Sequence, residues 1–318
     1  MLSRTADHLF WMARYTERAE NTARMLDLNV QTAMLPQTPA AARRGWCSTL
    51  GICELQHAYN AKYPEVTARD VLDFMVRDTT HASSIASCLR AARENARAVR
   101  GTLTNEVWET LNITWLEMQN KLDRVFDGDP GQFFEWVKHR SHLSRGVIFG
   151  TMLQNEALYF TRLGTFLERA DNTARILDVK FHDAGRNASE GPFRDEHQHD
   201  YYYWAAILRS VSAFEIYRKV YRDAITAERV VDLLMLRPDM PRSLLACLSE
   251  VVRNLRAATA DTGRDTLRFA GKLHAELKFA HIDDILQQGL HAYLTGFLEC
   301  VYELGNRVSR DFLVPAAA

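Results

Sequence analysis

The chain has 318 residues, 47% hydrophobic and 25% charged, a composition typical of a soluble globular protein large enough to bury a core. Its net charge of −1 argues against general electrostatic attraction to nucleic acid or to an anionic membrane. No apolar run approaches the roughly 20 residues that span a bilayer, and the first residues lack the apolar stretch of a signal peptide. The five cysteines form no CxxC pair, so we expect a reduced, cytoplasmic protein.

The apolar residues recur at helical spacing along the chain. Met12, Tyr15, Ala19, Thr22 and Leu26 follow one another at steps of three or four residues. The pattern predicts an all-α fold of roughly ten to fourteen helices. The first helix is expected to start at Ser3 as its N-cap and to end before Pro36 and Pro39. Turns are predicted at residues 127–131 and 238–241, and the longest loop at residues 185–200.

The chain repeats itself. Residues 17–27 return as residues 168–178, with nine of eleven positions identical. A second register pairs residues 67–97 with 226–256, where nine of 31 positions match. Cys88 and Cys247 fall at equivalent places and are expected in the core. We therefore predict two related helical repeats, 1–150 and 151–318, packed into one multi-helix bundle.

The repeated segment places polar side chains on one helix face. In the first copy they are Glu17, Glu20, Asn21 and Arg24, with Arg18 at the boundary; in the second they are Glu168, Asp171, Asn172 and Arg175, with Arg169 at the boundary.

Three interpretations of this face compete. It could be a solvated surface with i,i+4 ion pairs. It could be a partly buried network in which Glu17 and Glu168 pair with arginines across a pseudo-twofold axis. It could also line a cleft that binds a carboxylate, an amine or a peptide. An asparagine in mid-helix costs roughly half a kcal/mol relative to alanine, so its presence in both copies favours the second and third interpretations.

The doubled motifs Glu-Arg-Ala-Glu-Asn-Thr-Ala-Arg and Glu-Arg-Ala-Asp-Asn-Thr-Ala-Arg resemble those of the alpha-E proteins, helical domains that are often duplicated. The resemblance extends to residues 92–97, to residues 108–112 and to Leu163-Gly164 before the second motif. It implies a role beside circularly permuted ATP-grasp ligases and transglutaminase-like proteins in peptide synthesis or modification. It assigns no catalytic residue.

The other clusters of polar residues give weaker predictions of a binding site. A row of arginines with one asparagine could bind anions, although a solvated face is favoured: Arg90, Arg93, Asn95, Arg97 and Arg100. The second half keeps only part of this row. We expect no metal site, because His139/His142 and His197/His199 lack the expected partners.

No glycine-rich phosphate loop and no nucleophile signature is present, so we expect no nucleotide cofactor. Nucleic-acid binding is not expected. Four consecutive aromatic residues at 201–204 are expected to leave one or two side chains exposed for a partner.

The leading hypothesis is a non-catalytic partner, or a substrate-presenting subunit, of an ATP-grasp-type system. The alternative is an enzyme acting on a small peptide or amino-acid derivative. In that enzyme Glu17 or Glu168 would be the general acid/base, and Arg18, Arg24, Arg169 or Arg175 would bind a carboxylate. A purely structural scaffold is the third hypothesis.

Overall fold

The computed structural model describes residues 1–34, 38–125, 128–187, 196–258 and 263–313, without the side chains of residues 179–200 and 202. Across these ranges the chain forms fifteen α-helices and no strand, which confirms the all-α prediction. No helix of the described part is long and apolar enough to cross a membrane.

The helices follow one another with short connections. The first seven are α1 (Ser3–Ala33), α2 (Pro39–Ile52), α3 (Gln56–Asn60), α4 (Ala68–Val76), α5 (Ile85–Ala98), α6 (Asn105–Leu122) and α7 (Pro130–Thr151). The other eight are α8 (Glu156–Asn187), α9 (Glu196–Ser210), α10 (Phe214–Tyr221), α11 (Ala227–Met235), α12 (Leu244–Ala258), α13 (Arg264–Lys278), α14 (Ile282–Gln288) and α15 (Leu290–Phe312).

The predicted start of α1 was wrong by one residue. Ser3 is the first helical residue rather than the cap, and no side chain caps α1. Its end before Pro36 and Pro39 is confirmed, since α1 ends at Ala33. Pro39 is the first residue of α2, where a missing N–H costs nothing, and Thr38 caps this helix by accepting from Ala41 N at 3.2 Å. Asp129 likewise accepts from Gly131 N at 2.8 Å and starts α7 inside the predicted turn.

The predicted loop at 185–200 and the helix count also need correction. Helix α8 runs on to Asn187 and α9 already begins at Glu196, so helix covers both ends of that segment. A single Gly185 near a helix end costs about 1 kcal/mol, too little to stop a long helix. The count exceeds the prediction because α3 and α14, of five and seven residues, are too short to show a clear period.

The two long motif helices, α1 and α8, cross at the centre of the molecule. Gly164 of α8 lies against α1 so closely that a Cβ atom there would be 2.2 Å from the Phe10 carbonyl oxygen. The larger apolar cluster contains residues of α1, α8, α12 and α15, so parts of both predicted repeats contribute to it. Cys88 and Cys247 are fully buried, as expected. This crossing brings the two polar motifs together.

Candidate functional site: a closed ion network and a cleft

The second residue of each motif pairs with the first residue of the other. Arg18 Nε donates to Glu168 Oε1 at 2.6 Å, and Arg18 Nη2 donates to Oε2 at 3.1 Å. In reverse, Arg169 Nε donates to Glu17 Oε1 at 2.9 Å, and Arg169 Nη2 donates to Oε2 at 3.0 Å. Both contacts are bidentate, the geometry in which a guanidinium and a carboxylate bind most strongly.

The last arginine of each motif ties a helix of the other half to the crossing. Arg24 Nη1 donates to the carbonyl of Ser210 at 2.6 Å, and Arg175 Nη1 donates to that of Ile52, also at 2.6 Å. These two carbonyls end α9 and α2, where helix carbonyls lack intrahelical partners. The motifs therefore stabilise the packing of both halves.

The first motif lies in a closed network, defined here as Glu17, Glu20, Arg24, Arg145, Arg169 and Arg242. Glu17 and Glu20 are at most 1% exposed. Arg145 of α7 donates to Glu17 Oε2 at 2.8 Å and also to Glu20. Arg242, just before α12, donates to Glu17 Oε1 at 3.3 Å and to Glu20, which also accepts from Arg24 Nε at 2.9 Å. Two carboxylates thus face four guanidinium groups.

Charge pairing keeps the closed network ionised despite its burial. Burial alone would raise the pKa of Glu17, but Arg169, Arg145 and Arg242 outweigh it and lower that pKa. The pKa of Glu20 is likewise lowered, because Arg242, Arg145 and Arg24 outweigh its burial. Burial lowers the pKa of Arg242 to about 10, and the like charges of Arg24 and Arg169 act in the same direction. Positive charge is in excess here.

The second motif opens instead onto a cleft of about 1130 Å³ between α1, α2, α8 and α15. Glu168, Asp171, Asn172 and Arg175 all line it, together with Arg14, Arg18 and Asn21 of α1. Phe10, Trp11 and Met25 provide apolar wall, and Tyr302 of α15 stands at the cleft with 73% of its surface exposed. The volume is slightly above the roughly 300–1,000 Å³ of small-ligand pockets, and the lining combines apolar walls with convergent polar groups, as such pockets do.

Arginines hold the carboxylates of the cleft in place. Glu168 Oε2 accepts from Arg14 Nε at 2.7 Å in addition to its contacts with Arg18. Burial raises the pKa of Glu168, yet Arg14 and Arg18 outweigh it and lower that pKa to about 2. Arg175 Nε donates to Asp171 Oδ2 at 2.9 Å. The Arg14 and Arg18 side chains keep 17% and 25% of their surface exposed, compared with 9% for Arg169 and 14% for Arg145 in the closed network.

Asn21 sits between the closed network and the cleft. It is 3% exposed, and its Oδ1 lies 3.5 Å from the donating Arg242 Nη1. Its Nδ2 has no hydrogen-bond partner in the described part of the chain. Exchanging the amide oxygen and nitrogen would set donor against donor at Arg242, so the amino group is the atom left over. A buried donor without a partner costs about 1–3 kcal/mol of stability. Asn21 is also one of the residues that line the cleft.

These positions overturn the solvated-face interpretation, since Glu17, Glu20, Asn21, Arg24 and Glu168 are all buried. Sequence reasoning missed Arg14, Arg145, Arg242 and Ser83. The last two carried a signal: the register that pairs residues 67–97 with 226–256 sets Ser83 opposite Arg242. Arg145 has no comparable sequence signal.

The arginine row, in α5 and directly after it, lies outside the cleft. Arg93 Nε donates to Asn112 Oδ1 at 3.0 Å, and Arg97 pairs with Glu94 at 2.7 Å. Arg100 stacks on Trp108, 5.4 Å from the ring centroid. Arg90 is exposed, while Asn95 Nδ2 donates to the Ala91 carbonyl at 2.8 Å. Anion binding by this row stays a prediction.

His139, His142, Tyr201, Tyr203 and Trp204 are not among the residues that line the cleft, whereas His291 is. His142 contacts Arg145 Nη2 at 2.9 Å beside the closed network. The side chains of His197, His199 and Tyr202 lie outside the described residues. Trp204 is buried and Tyr201 is 43% exposed. In the described part of the chain, no three His, Cys, Asp or Glu residues group closely enough to hold a metal ion.

Comparison with known proteins identifies the kind of domain. A protein of Mycobacterium bovis and one of Mycobacterium tuberculosis, each bearing the name "uncharacterized protein", are 22% identical to the chain over 324 residues. The matches cover 94% of this chain but 35% of each relative, so the chain spans about a third of the length of these curated relatives. No solved structure matches the chain.

A family profile matches residues 1–313. It is described as "Alpha-E: a predicted alpha-helical domain with a conserved ER motif". The Glu-Arg pairs 17–18 and 168–169, which cross-pair at the centre of the fold, fit that description. The chain belongs to the Alpha-E family.

Proposed function

We propose that this chain is a non-catalytic helical subunit that binds a peptide ligand in the cleft and presents it to a partner of the ATP-grasp ligase or transglutaminase-like type. The observation that carries the proposal is the difference between the motif carboxylates: Glu17 and Glu20 are sealed by arginines, whereas Glu168 and Asp171 line a cleft of about 1130 Å³. A merely structural pair of motifs gives no reason for that difference.

The chemistry of the carboxylates favours a binding role over an enzyme. Glu17 is enclosed by arginines and is not among the residues that line the cleft, so it is badly placed to contact a ligand there. Glu168 does line the cleft, but Arg14 and Arg18 occupy its oxygens and lower its pKa to about 2. A general base works best with a pKa near the operating pH, which makes Glu168 a weak candidate.

The mycobacterial relatives support a role beside other domains. In both, the matched segment is about a third of a longer chain, so a related unit is joined covalently to further segments there. The family resemblance of the doubled motif points to ligases and transglutaminase-like proteins as the partner class. The role of this chain would then be to hold a substrate while the partner performs the bond-forming step.

The test is reconstitution with each ATP-grasp ligase of the same organism. We expect one of them to co-purify with this chain and to lose most of its activity when this chain is left out. Tyr302→Ala, at the cleft, should lower the ligase rate several-fold, and Phe279→Ala should not. The two aromatic side chains are 73% and 74% exposed, and only Tyr302 lines the cleft. No stable complex, together with a ligase indifferent to this chain, would refute the proposal.

A further inference from the structure

Ser83 and Arg242 each stand directly before a serine that caps a helix. Ser84 Oγ accepts from Ser87 N at 3.2 Å at the start of α5, and Ser243 Oγ accepts from Ala246 N at 3.0 Å at the start of α12. The two positions therefore have the same local geometry. Arg242 reaches Glu17 and Glu20, whereas Ser83 lines the cleft and has only a hydroxyl to offer, 3.4 Å from Arg18 Nη1.

A second arginine of the closed network also lacks a counterpart at the cleft. On the closed side, α7 supplies Arg145, which contacts both carboxylates. On the cleft side, α15 supplies Gly305, Asn306 and Ser309. The cleft is thus open where the closed network is filled with guanidinium groups.

The cleft and the closed network also differ in their balance of charged groups. Six carboxylates line the cleft: Glu54, Glu168, Asp171, Asp178, Glu299 and Glu303. Among the described residues that line the cleft, three guanidinium groups face them, those of Arg14, Arg18 and Arg175, and His291 contacts Asp178 at 2.7 Å. Glu303 pairs with Arg307 at 2.7 Å. Glu299 has no ion-pair partner among the residues that the structure describes. The cleft is therefore short of positive charge, whereas the closed network has an excess of it.

Asn21 supplies an independent indication of a ligand. Its Nδ2 lacks a partner among the described residues, and the side chain is buried at the wall of the cleft. Such a donor requires an acceptor oxygen, and a peptide carbonyl provides one. A ligand that fits both features carries a cationic group and a carbonyl within one residue.

We propose that the cleft binds an arginine residue of a peptide. Its guanidinium would occupy the position that Arg242 fills in the closed network, and its carbonyl would accept from Asn21. The planar guanidinium fork matches carboxylates in two-point contacts, and it stacks on aromatic faces such as those of Trp11 and Tyr302 at the cleft. This inference rests on the proposed function, because it specifies the ligand of the same cleft.

The experiment is isothermal titration of the full chain with acetyl-Ala-Arg-Ala-amide and with the same peptide carrying citrulline. Citrulline keeps the shape of arginine and removes its charge. We expect the arginine peptide to bind at least about tenfold more tightly, as is usual when a charge-assisted hydrogen bond is lost. Ser83→Arg should fill the cleft and weaken binding of the arginine peptide at least about tenfold.

A second pair of variants keeps the test valid if Ser83→Arg does not fold. Glu299→Gln should lower the affinity for the arginine peptide several-fold. Glu109→Gln, which changes an exposed residue outside the cleft, should leave that affinity unchanged. Equal affinities for the arginine and citrulline peptides would overturn the inference and leave the cleft as a peptide site. Binding of neither peptide would overturn both the inference and the peptide-binding part of the proposed function.

Discussion

Arg169 holds Glu17 through two hydrogen bonds, of 2.9 and 3.0 Å, and both side chains are buried. Arg18 holds Glu168 in the same two-point manner at the other end of the crossing, but Arg18 keeps a quarter of its side-chain surface exposed. The same Glu-Arg pairing thus occurs in a sealed setting and in an open one. The difference between the settings leads to distinct expectations for stability.

Arg242→Met should lower the stability only slightly, although Arg242 is a buried charged residue. Glu17 would still be paired with Arg169 and Arg145, and Glu20 with Arg24 and Arg145. The change also removes a guanidinium group whose charge is disfavoured by burial and by the like charges of Arg24 and Arg169. We expect the free energy of unfolding, measured in urea, to fall by less than about 2 kcal/mol. A buried charge left unpaired would lower it by roughly 3–5 kcal/mol. A loss as large as that of Glu17→Gln would contradict the charge count.

The free energy of unfolding should decrease as the pH is lowered through the acidic range. Glu17, Glu20 and Glu168 all have lowered pKa values in the folded state, so the unfolded chain binds more protons as the pH drops. Their contribution is complete above the unfolded pKa of about 4.5 and is lost as the pH falls; for Glu168 the window extends to about 2.

Unfolding free energies at pH 6, 4 and 3 measure this dependence. The free energy of unfolding of Glu168→Gln should depend less steeply on pH than that of the wild type. Some dependence should remain, because Glu17 and Glu20 still titrate. Identical slopes for the two proteins would mean that Glu168 is not held ionised by Arg14 and Arg18.

Gly164→Ala should destabilise the protein although alanine is the better helix former. The added Cβ would lie 2.2 Å from the Phe10 carbonyl oxygen and 3.3 Å from Ala13 Cβ, so α1 and α8 would have to move apart. We expect a loss of about 2–3 kcal/mol, as for other overpacked cores. The control is Gly271→Ala in α13, where a Cβ meets nothing within 4 Å and should stabilise by up to about 1 kcal/mol. Similar thermal midpoints for the two variants would disprove the close crossing.

The sequence predicts the fold class well because helical period and the scarcity of Gly and Pro act locally. It also identifies the motif residues, since a polar face kept in two copies is visible without coordinates. Arg145 and Arg242 were not foreseen, because their contacts depend on how α7 and α12 pack against α1. A cleft beside the motifs was one of three interpretations of the sequence. The sequence could not decide for it, because the cleft arises where residues such as Ser83 and Gly305 are small, and a lack of volume has no period.

The most direct test compares Glu17→Gln with Glu168→Gln in equilibrium unfolding, with Glu109→Gln as the exposed control. Glu17→Gln leaves Arg169, Arg145 and Arg242 short of a buried carboxylate, so we expect a loss of about 3–5 kcal/mol. Glu168→Gln leaves Arg14 and Arg18 partly exposed, and water can solvate them, so we expect about half that loss or less. Glu109→Gln should change stability by less than about 0.5 kcal/mol. Equal losses at Glu17 and Glu168, or a larger loss at Glu168, would contradict the division into a sealed structural network and an open binding cleft.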